Sequence, residues 1–139
     1  MSNDETVDVG LGAWTPPGRY QDLELERKGT KEPEDIAGPV DTVESLQFGE
    51  EAELFALRGE AYADDISVLQ DYKGKALTLR HDVYSGKVYI ESVQASSTDR
   101  WDELSELRMH DGMMQDVTEE KQVYTYRVGL VKIEEMDED

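Results

Sequence analysis

Two stretches near the end of the chain alternate apolar and polar residues in the manner of β-strands. They are GKVYIESVQ at residues 86–94 and YTYRVGLVKI at residues 124–133. Together they contain one acidic residue, Glu91, in a chain where about every fourth residue is Asp or Glu. A period of two places successive side chains on opposite faces of a sheet. We therefore predict two central strands that pack against other residues on both faces.

Three further strands are predicted upstream by the same alternation. They are expected at 21–28 (QDLELERK), from Glu53 in ELFALRGEAY, and at 75–80 (KALTLR). The Ser85-Gly86 pair after HDVY is typical of a tight turn, and it joins the last of these strands to residues 86–94 in a hairpin.

One helix is predicted between the second and third of these strands, in ADDISVLQDYKG. Ile66 and Leu69 fall on one side at helical spacing, Asp64 or Asp65 is suited to cap the first turn, and Gly74 closes the end. We expect two to three turns, which is within the usual range.

The segment RWDELSELRMHDGMMQDVTEEK, residues 100–121, allows two interpretations. Trp101, Leu104 and Leu107 follow Ser97-Thr98-Asp99 at a spacing of three, which favours a capped helix and a loop. Alternatively, the segment is a long excursion between two paired strands. Beyond this segment, the apolar residues of the last strand change from one face of the strand to the other near Gly129. We therefore predict a bulge there.

These elements predict a mainly β (α+β) fold: an antiparallel β-sandwich or barrel with one short flanking helix and a long inter-strand excursion. Residues 1–20 are rich in Gly and Pro and are predicted to form a flexible N-terminal arm with Trp14 as an aromatic anchor. Residues 21–134 are predicted to form a single β-rich domain, with a long loop at 29–42. Residues 135–139 form an acidic tail.

The charge of the chain disfavours some classes of partner and favours a high-salt environment. It has 33 Asp and Glu against 14 Lys and Arg, a formal net charge of −19. This excess disfavours nucleic-acid binding through a phosphate-neutralising patch and docking on an anionic membrane. Clear strand patterning favours adaptation to high salt over disorder, because the Debye length shrinks to roughly 3 Å at molar salt.

The sequence predicts that the chain folds in a cytoplasm. No run of about 18 apolar residues is present to span a bilayer, and the start MSNDETVDVG has neither the basic nor the apolar region of a signal peptide.

Candidate catalytic chemistry is sparse. The chain has no cysteine, and its only histidines lie in His81-Asp82 and His110-Asp111. Two imidazoles and two carboxylates are suitable ligands for a divalent metal, so one hypothesis is a metal-dependent hydrolase that uses His81 and His110. However, adjacent residues in a strand point to opposite faces, so a His-Asp dipeptide rarely supplies two ligands to one ion. Both dipeptides also lie in predicted turns, where Asp is common without any metal. Ser85 near His81 lacks a nucleophile-elbow motif. We predict no catalytic residues, no cofactor and no metal site.

Five residues are candidate contacts between subunits. Met113 and Met114 are predicted to lie in a loop, where they either meet a neighbouring subunit or fill the core. Tyrosines are clustered in the predicted sheet, at 84, 89, 124 and 126, and they either meet another protein or pack across strands within the domain. The candidate contacts are Trp14, Met113, Met114, Tyr124 and Tyr126.

Three phrases, ISVLQDYKGKALTLRH, SGKVYIESVQ and YTYRVGLVKI, resemble small tail and baseplate proteins of long-tailed viruses. The resemblance covers roughly residues 53–133. It implies a tail-tube-like β-sandwich or barrel that packs side by side in a ring around a channel, with arms and loops reaching neighbouring subunits. It implies no catalytic residues. An acidic lumen would also repel DNA passing through it.

The leading hypothesis is therefore a non-enzymatic structural component of a virus tail or baseplate from a haloarchaeal host. Its partners would be copies of itself in a ring and other tail proteins, with no specific nucleic-acid binding and no membrane contact, and it would reside in the virion. The alternative is a small haloarchaeal cytoplasmic β-barrel module that binds a ligand or a protein on its tyrosine face.

Overall fold

The computed structural model describes residues 9–39, 43, 46–49 and 51–134. Within them are six strands and one helix: β1 Gly10–Leu11, β2 Glu24–Lys31, β3 Ala52–Tyr62, α1 Ala63–Asp71, β4 Ala76–Arg80, β5 Gly86–His110 and β6 Met113–Lys132. Short 3-10 helices lie at Gly18–Tyr20 and Pro33–Asp35. The mainly β class with one short flanking helix is confirmed.

All strand pairs are antiparallel, and they form one sheet in the order β1-β4-β5-β6-β3-β2. The sheet curls so far that His81, after β4, bonds through Nε2 to the carbonyl oxygen of Leu23, before β2, 2.8 Å away. β4 is second from one edge of the sheet, and β2 forms the other edge. The expected sandwich or barrel is thus one curled, barrel-like sheet rather than two packed sheets.

The larger core fills the inside of this curl. Alternate residues of the central strands point into it, including Phe55 opposite Leu130 and Leu57 opposite Val128. Helix α1 contributes Ile66 and Leu69, both buried, and the first segment of the chain contributes others. The remaining buried members are Leu11, Trp14, Leu23, Ala61, Leu79, Val88, Ile90 and Tyr126.

A smaller core covers one end of the opposite face. There Tyr89 and Val131, which pair across β5 and β6, pack against Ile36 and Phe48. Two covered faces explain why Leu130 and Val131 are both buried although they point in opposite directions. The predicted bulge lies on the partner strand, where the register shifts between Ile90 and Ser92 opposite Gly129.

The N-terminal segment differs from the sequence prediction. Residues 9–20 pack on the domain instead of forming a flexible arm, since Leu11 and Trp14 are buried and the Trp14 indole donates to Asp65 Oδ1 at 2.9 Å. Trp14 is the anchor that the sequence predicts. Residues 1–8, and the predicted acidic tail at 135–139, lie outside the described residues. The predicted loop at 29–42 begins later than expected, because β2 continues through Lys31.

Helix α1 begins as the sequence predicts, with a different cap. Its N-cap is Tyr62, and Asp65 accepts the Tyr62 backbone N–H at 3.1 Å from the third helical position. Asp65 therefore stabilises the first turn from inside the helix rather than at the cap position.

Candidate functional site

Beyond the body of the sheet, β5 and β6 continue as a two-stranded ribbon that we call the arm, residues 101–122. Ten rungs connect its strands, from Trp101 opposite Gln122 to His110 opposite Met113. At a rise of about 3.3 Å per residue the arm is about 30 Å long. Pairing of β3 with β6 ends at Val123, so within the described residues the arm has no third strand. The helix interpretation of residues 100–121 is wrong, and the excursion between paired strands is what the structure contains.

The arm ends in a two-residue turn, Asp111-Gly112. Both residues have positive φ, 52° and 78°. Such a turn matches the twist of the flanking strands and favours Asp-Gly over most other pairs. The turn is thus encoded locally, and it keeps the two strands in register to the tip.

A wide bulge separates the arm from the body. Ser97 pairs with Tyr124 and Trp101 with Gln122, so residues 98–100 face Val123 alone. Side chains hold this bulge: Thr98 Oγ1 donates to the Val123 carbonyl at 2.7 Å, and Gln122 Nε2 donates to the Thr98 carbonyl at 2.8 Å. Bulges redirect a strand, so this one sets the direction in which the arm leaves the sheet.

Asp102 braces the base of the arm against the body. Its Oδ2 accepts hydrogen bonds from the hydroxyls of Tyr20, at 2.5 Å, and Tyr62, at 2.7 Å. Arg19 lies 3.6 Å from the same oxygen and also donates to the Glu103 carbonyl at 3.0 Å. Two further ion pairs flank the brace, Lys121 with Asp64 and Arg100 with Glu60. The arm is therefore held in one orientation at its base.

The brace shifts the ionisation of its members. Hydrogen bonds from Tyr20 and Tyr62 lower the pKa of Asp102, because they stabilise the carboxylate form. Burial, and donation to Asp102, raise the pKa of Tyr62. Both phenols stay protonated donors and Asp102 stays an anion at neutral pH, so the brace is fully formed there.

The far half of the arm exposes large apolar side chains. Leu107, Met109, Met113 and Met114 are 62%, 67%, 66% and 56% exposed, and we call these four residues the tip. Met109 lies directly opposite Met114, so their side chains share a face with Leu107. Around them the arm carries seven Asp or Glu against two Lys or Arg. An apolar patch in such a charged setting is typical of an interaction surface.

The five predicted subunit contacts fall into two groups. Met113 and Met114 are exposed at the tip, so they do not fill the core, and their contact with a neighbour stays a prediction. Trp14 and Tyr126 are buried and pack edge to face, with ring centroids 5.9 Å apart. Tyr124 is half-buried against the larger core.

The tyrosines of the predicted binding face pack inside the domain. Tyr84 stacks on Phe55 with centroids 5.3 Å apart, and the Tyr89 hydroxyl donates to the Ala37 carbonyl at 2.8 Å. Packing within the domain, the second interpretation of these residues, accounts for them.

The two histidines are not brought together. His81 Nδ1 accepts the Val83 backbone N–H at 3.0 Å, so Nε2 carries the proton that it donates to Leu23, and both ring nitrogens are used. His110 lies at the far end of the arm. In the described part of the chain, no three His, Asp or Glu residues are grouped as metal ligands.

The concave surfaces of the described body include a polar cavity of about 540 Å³. Its lining brings together three arginines, Arg19, Arg58 and Arg127, and three carboxylates, Asp22, Glu24 and Glu60. Arg58 and Arg127 are directly opposite on β3 and β6. Arg58 pairs with Glu26 at 2.8 Å and Glu24 at 3.5 Å, whereas Arg127 has no ion pair with any residue that the structure describes.

The second concave surface is an apolar groove of about 620 Å³. Its apolar lining includes Ile36, Val43, Leu46 and Phe48, and Glu34 and Glu134 stand at its side. It lies over the smaller core, at the end of the sheet opposite the arm, because Phe48 packs on Tyr89 with ring centroids 6.1 Å apart.

Sequence reasoning missed the brace and half of the tip, Leu107 and Met109. Asp102, Tyr20 and Tyr62 are far apart in the chain, and no local pattern links them. Met109 and Leu107 had a usable signal, because Asp111-Gly112 between alternating residues is a strong indication of a hairpin.

No family model, no curated protein and no solved structure matches the chain. No helix in the described ranges is long and apolar enough to cross a membrane.

Proposed function

We propose that the chain is a non-enzymatic structural subunit of a virus tail or baseplate from a halophilic host, residing in the virion. The observation that supports this proposal best is the arm: a braced ribbon of ten rungs that carries an exposed apolar tip away from the body. An isolated two-stranded ribbon is only marginally stable in water, and three strands or a packing surface are normally needed. A partner that covers the arm would supply that surface.

Two features support a role in a tail, one of the arm and one of the whole chain. The arm is held at a fixed angle by Asp102, which suits a repeating assembly in which every copy must present its contacts identically. The net charge of −19 would line a conduit with negative potential and keep DNA from adhering to it.

Negative-stain electron microscopy of the purified protein in molar KCl tests this proposal. Closed rings or tubes of uniform diameter are the expected result. The proposal fails if the protein remains a dispersed monomer at high concentration, both alone and with the other tail proteins of the same virus.

The polar cavity supports a second candidate, a small cytoplasmic binding module. Arg58 is already paired with Glu24 and Glu26, whereas the facing Arg127 has no ion pair among the described residues, so a bound anion would pair with Arg127. Two guanidinium groups side by side suit a carboxylate or phosphate. A rise in melting temperature with citrate or inorganic phosphate, lost in Arg127→Gln, would favour this candidate; equal melting temperatures would remove it.

A further inference from the structure

The molecule carries two exposed apolar surfaces at opposite ends. One is the tip, and the other is the groove lined by Ile36, Val43, Leu46 and Phe48. Ile36 and Phe48 are buried in the floor, whereas Val43 and Leu46 are half-exposed. Both surfaces are framed by acidic residues.

The tip cannot reach the groove of its own chain. The groove lies beside Tyr89 and Ile133, next to the rung that joins Val88 to Lys132, and the tip lies at the rung that joins His110 to Met113. The β5–β6 ribbon between these rungs extends for up to about 70 Å at about 3.3 Å per residue. The brace at Asp102 holds the arm pointing away from the body.

We propose that the tip of one copy inserts into the groove of the next copy, in a head-to-tail contact. The proposal rests on the assembly role given above and names its partner as a second copy of this chain. Because different surfaces meet, one contact leaves one free tip and one free groove, and further copies extend it into a ring or a filament. Two copies that exchange tips reciprocally would close the same contact as a dimer.

The chemistry of the two surfaces fits this contact. Methionine has a flexible, polarisable side chain that fills irregular apolar spaces. A groove of about 620 Å³ lies within the range of roughly 300–1,000 Å³ that binding pockets occupy. Met109 and Met114, directly opposite on one face of the ribbon with Leu107 two residues away, would enter the groove together, whereas Met113 lies on the other face.

The area of the contact places it among weak interfaces. A ribbon about 30 Å long and two strands wide, about 10 Å, offers several hundred Å² over its faces and edges. Standard interfaces bury about 800 Å² per partner. Insertion of the tip with part of the ribbon buries less than that, so a single contact is weak and a closed ring, in which every copy makes two contacts, stabilises it.

Electrostatics makes the contact depend on salt. Glu34 and Glu134 border the groove, and the outer half of the arm brings further acidic residues, Glu106, Asp111 and Asp116, toward them. At low ionic strength these charges repel over tens of ångströms, and at molar salt the repulsion is screened within about 3 Å. The apolar contact then prevails.

Complementation between two variants tests the proposal. Met109→Ser/Met114→Ser disables the tip and leaves the groove, whereas Leu46→Gln disables the groove and leaves the tip. Sedimentation velocity in molar KCl is expected to give monomers for each variant alone. An equimolar mixture is expected to give one-to-one heterodimers, because one intact tip meets one intact groove and neither copy can continue the chain.

The controls separate this contact from folding and from assembly in general. Val83→Ser replaces another exposed apolar residue, 60% exposed, and should assemble like the wild type. Cooperative melting confirms that each variant folds, and Val43→Gln replaces Leu46→Gln if the latter does not. A tip variant that assembles like the wild type overturns the head-to-tail contact and leaves the assembly role standing. Two monomeric variants whose mixture also stays monomeric overturn it as well, and a monomeric wild type overturns both.

Cysteine pairing gives a direct second measurement, since the natural chain has no cysteine. A Met114→Cys copy mixed with a Leu46→Cys copy is expected to form a disulfide-linked dimer under mild oxidation in molar KCl. A Val83→Cys copy in place of Leu46→Cys should remain largely unlinked. Equal yields from the two mixtures would contradict the proposed contact.

Discussion

The carboxylate of Asp102 accepts a hydrogen bond from the hydroxyl of Tyr62, 2.7 Å away, and so ties the second rung of the arm to the last residue of β3. Tyr20 donates to the same oxygen. Removing these bonds would leave the arm attached through its backbone ladder and the ion pairs beside it. Asp102 is thus the residue on which the arm's direction depends most.

Asp102→Asn is expected to destabilise the protein by about 1–3 kcal/mol, because hydrogen bonds to a charged group are worth about 1.5–3 kcal/mol and the amide retains part of the geometry. Urea unfolding measures the loss, and limited proteolysis should cut residues 101–122 faster. Glu106→Gln is the matched control, since Glu106 is exposed and pairs only with Arg108 among the described residues. Equal stability of the two variants would argue against the brace.

The contribution of Asp102 to stability is expected to disappear in acid. Its pKa is lowered in the folded protein, so the stabilisation is present above the unfolded carboxyl pKa of about 3.9 and is lost as pH falls through the lower folded value. The free energy of unfolding of the wild type and of Asp102→Asn, measured from about pH 7 down to pH 2, should converge only below about pH 4. A gap that stays constant over this range would contradict the assignment.

Gly59→Ala is expected to destabilise the larger core. A Cβ at position 59 would lie 2.6 Å from the Tyr126 hydroxyl and 2.8 Å from Leu23 Cδ2, both packed inside the sheet. Overpacking of this kind costs about 1–3 kcal/mol. Gly18→Ala is the control, because nothing lies within 4 Å of its added Cβ. Thermal melting of both variants checks the prediction, and an unperturbed Gly59→Ala would refute the close packing at this rung.

The melting temperature is expected to rise steeply with KCl. A net charge of −19 on 139 residues produces self-repulsion that salt screens. Melting from about 0.1 M to 3 M KCl should show the rise, and sucrose at matched osmolality should reproduce only a small part of it. A melting temperature that does not respond to KCl would remove the argument for a high-salt habitat.

The sequence was sufficient for the elements whose periodicity is unambiguous. The strand at 75–80, the helix around Ile66 and Leu69, and the pairing of residues 86–94 with 124–133 were predicted and are present. Each is a local pattern facing a core, and such patterns are strongly constrained by burial.

The arm was ambiguous because its residues face solvent on both sides. Trp101, Leu104 and Leu107 fit a spacing of three, while Leu107 and Met109 fit a spacing of two, and no core selects between them. The brace depends on contacts between residues that are far apart in the chain: Asp102 is 40 positions from Tyr62 and 82 positions from Tyr20. The packing of Leu11 and Trp14 was hidden by the surrounding Gly and Pro residues, which are typical of a loose segment.

The central claim is that the arm drives assembly, and the molar mass of two proteins in molar KCl tests it most directly. The first is the wild type, and the second lacks residues 104–109 and 114–119, a paired deletion that keeps the Asp111-Gly112 turn, the strand alternation and the Asp102 brace. Light scattering is expected to give a mass of many subunits for the wild type and that of one subunit for the shortened protein. Equal masses for the two proteins would contradict the claim.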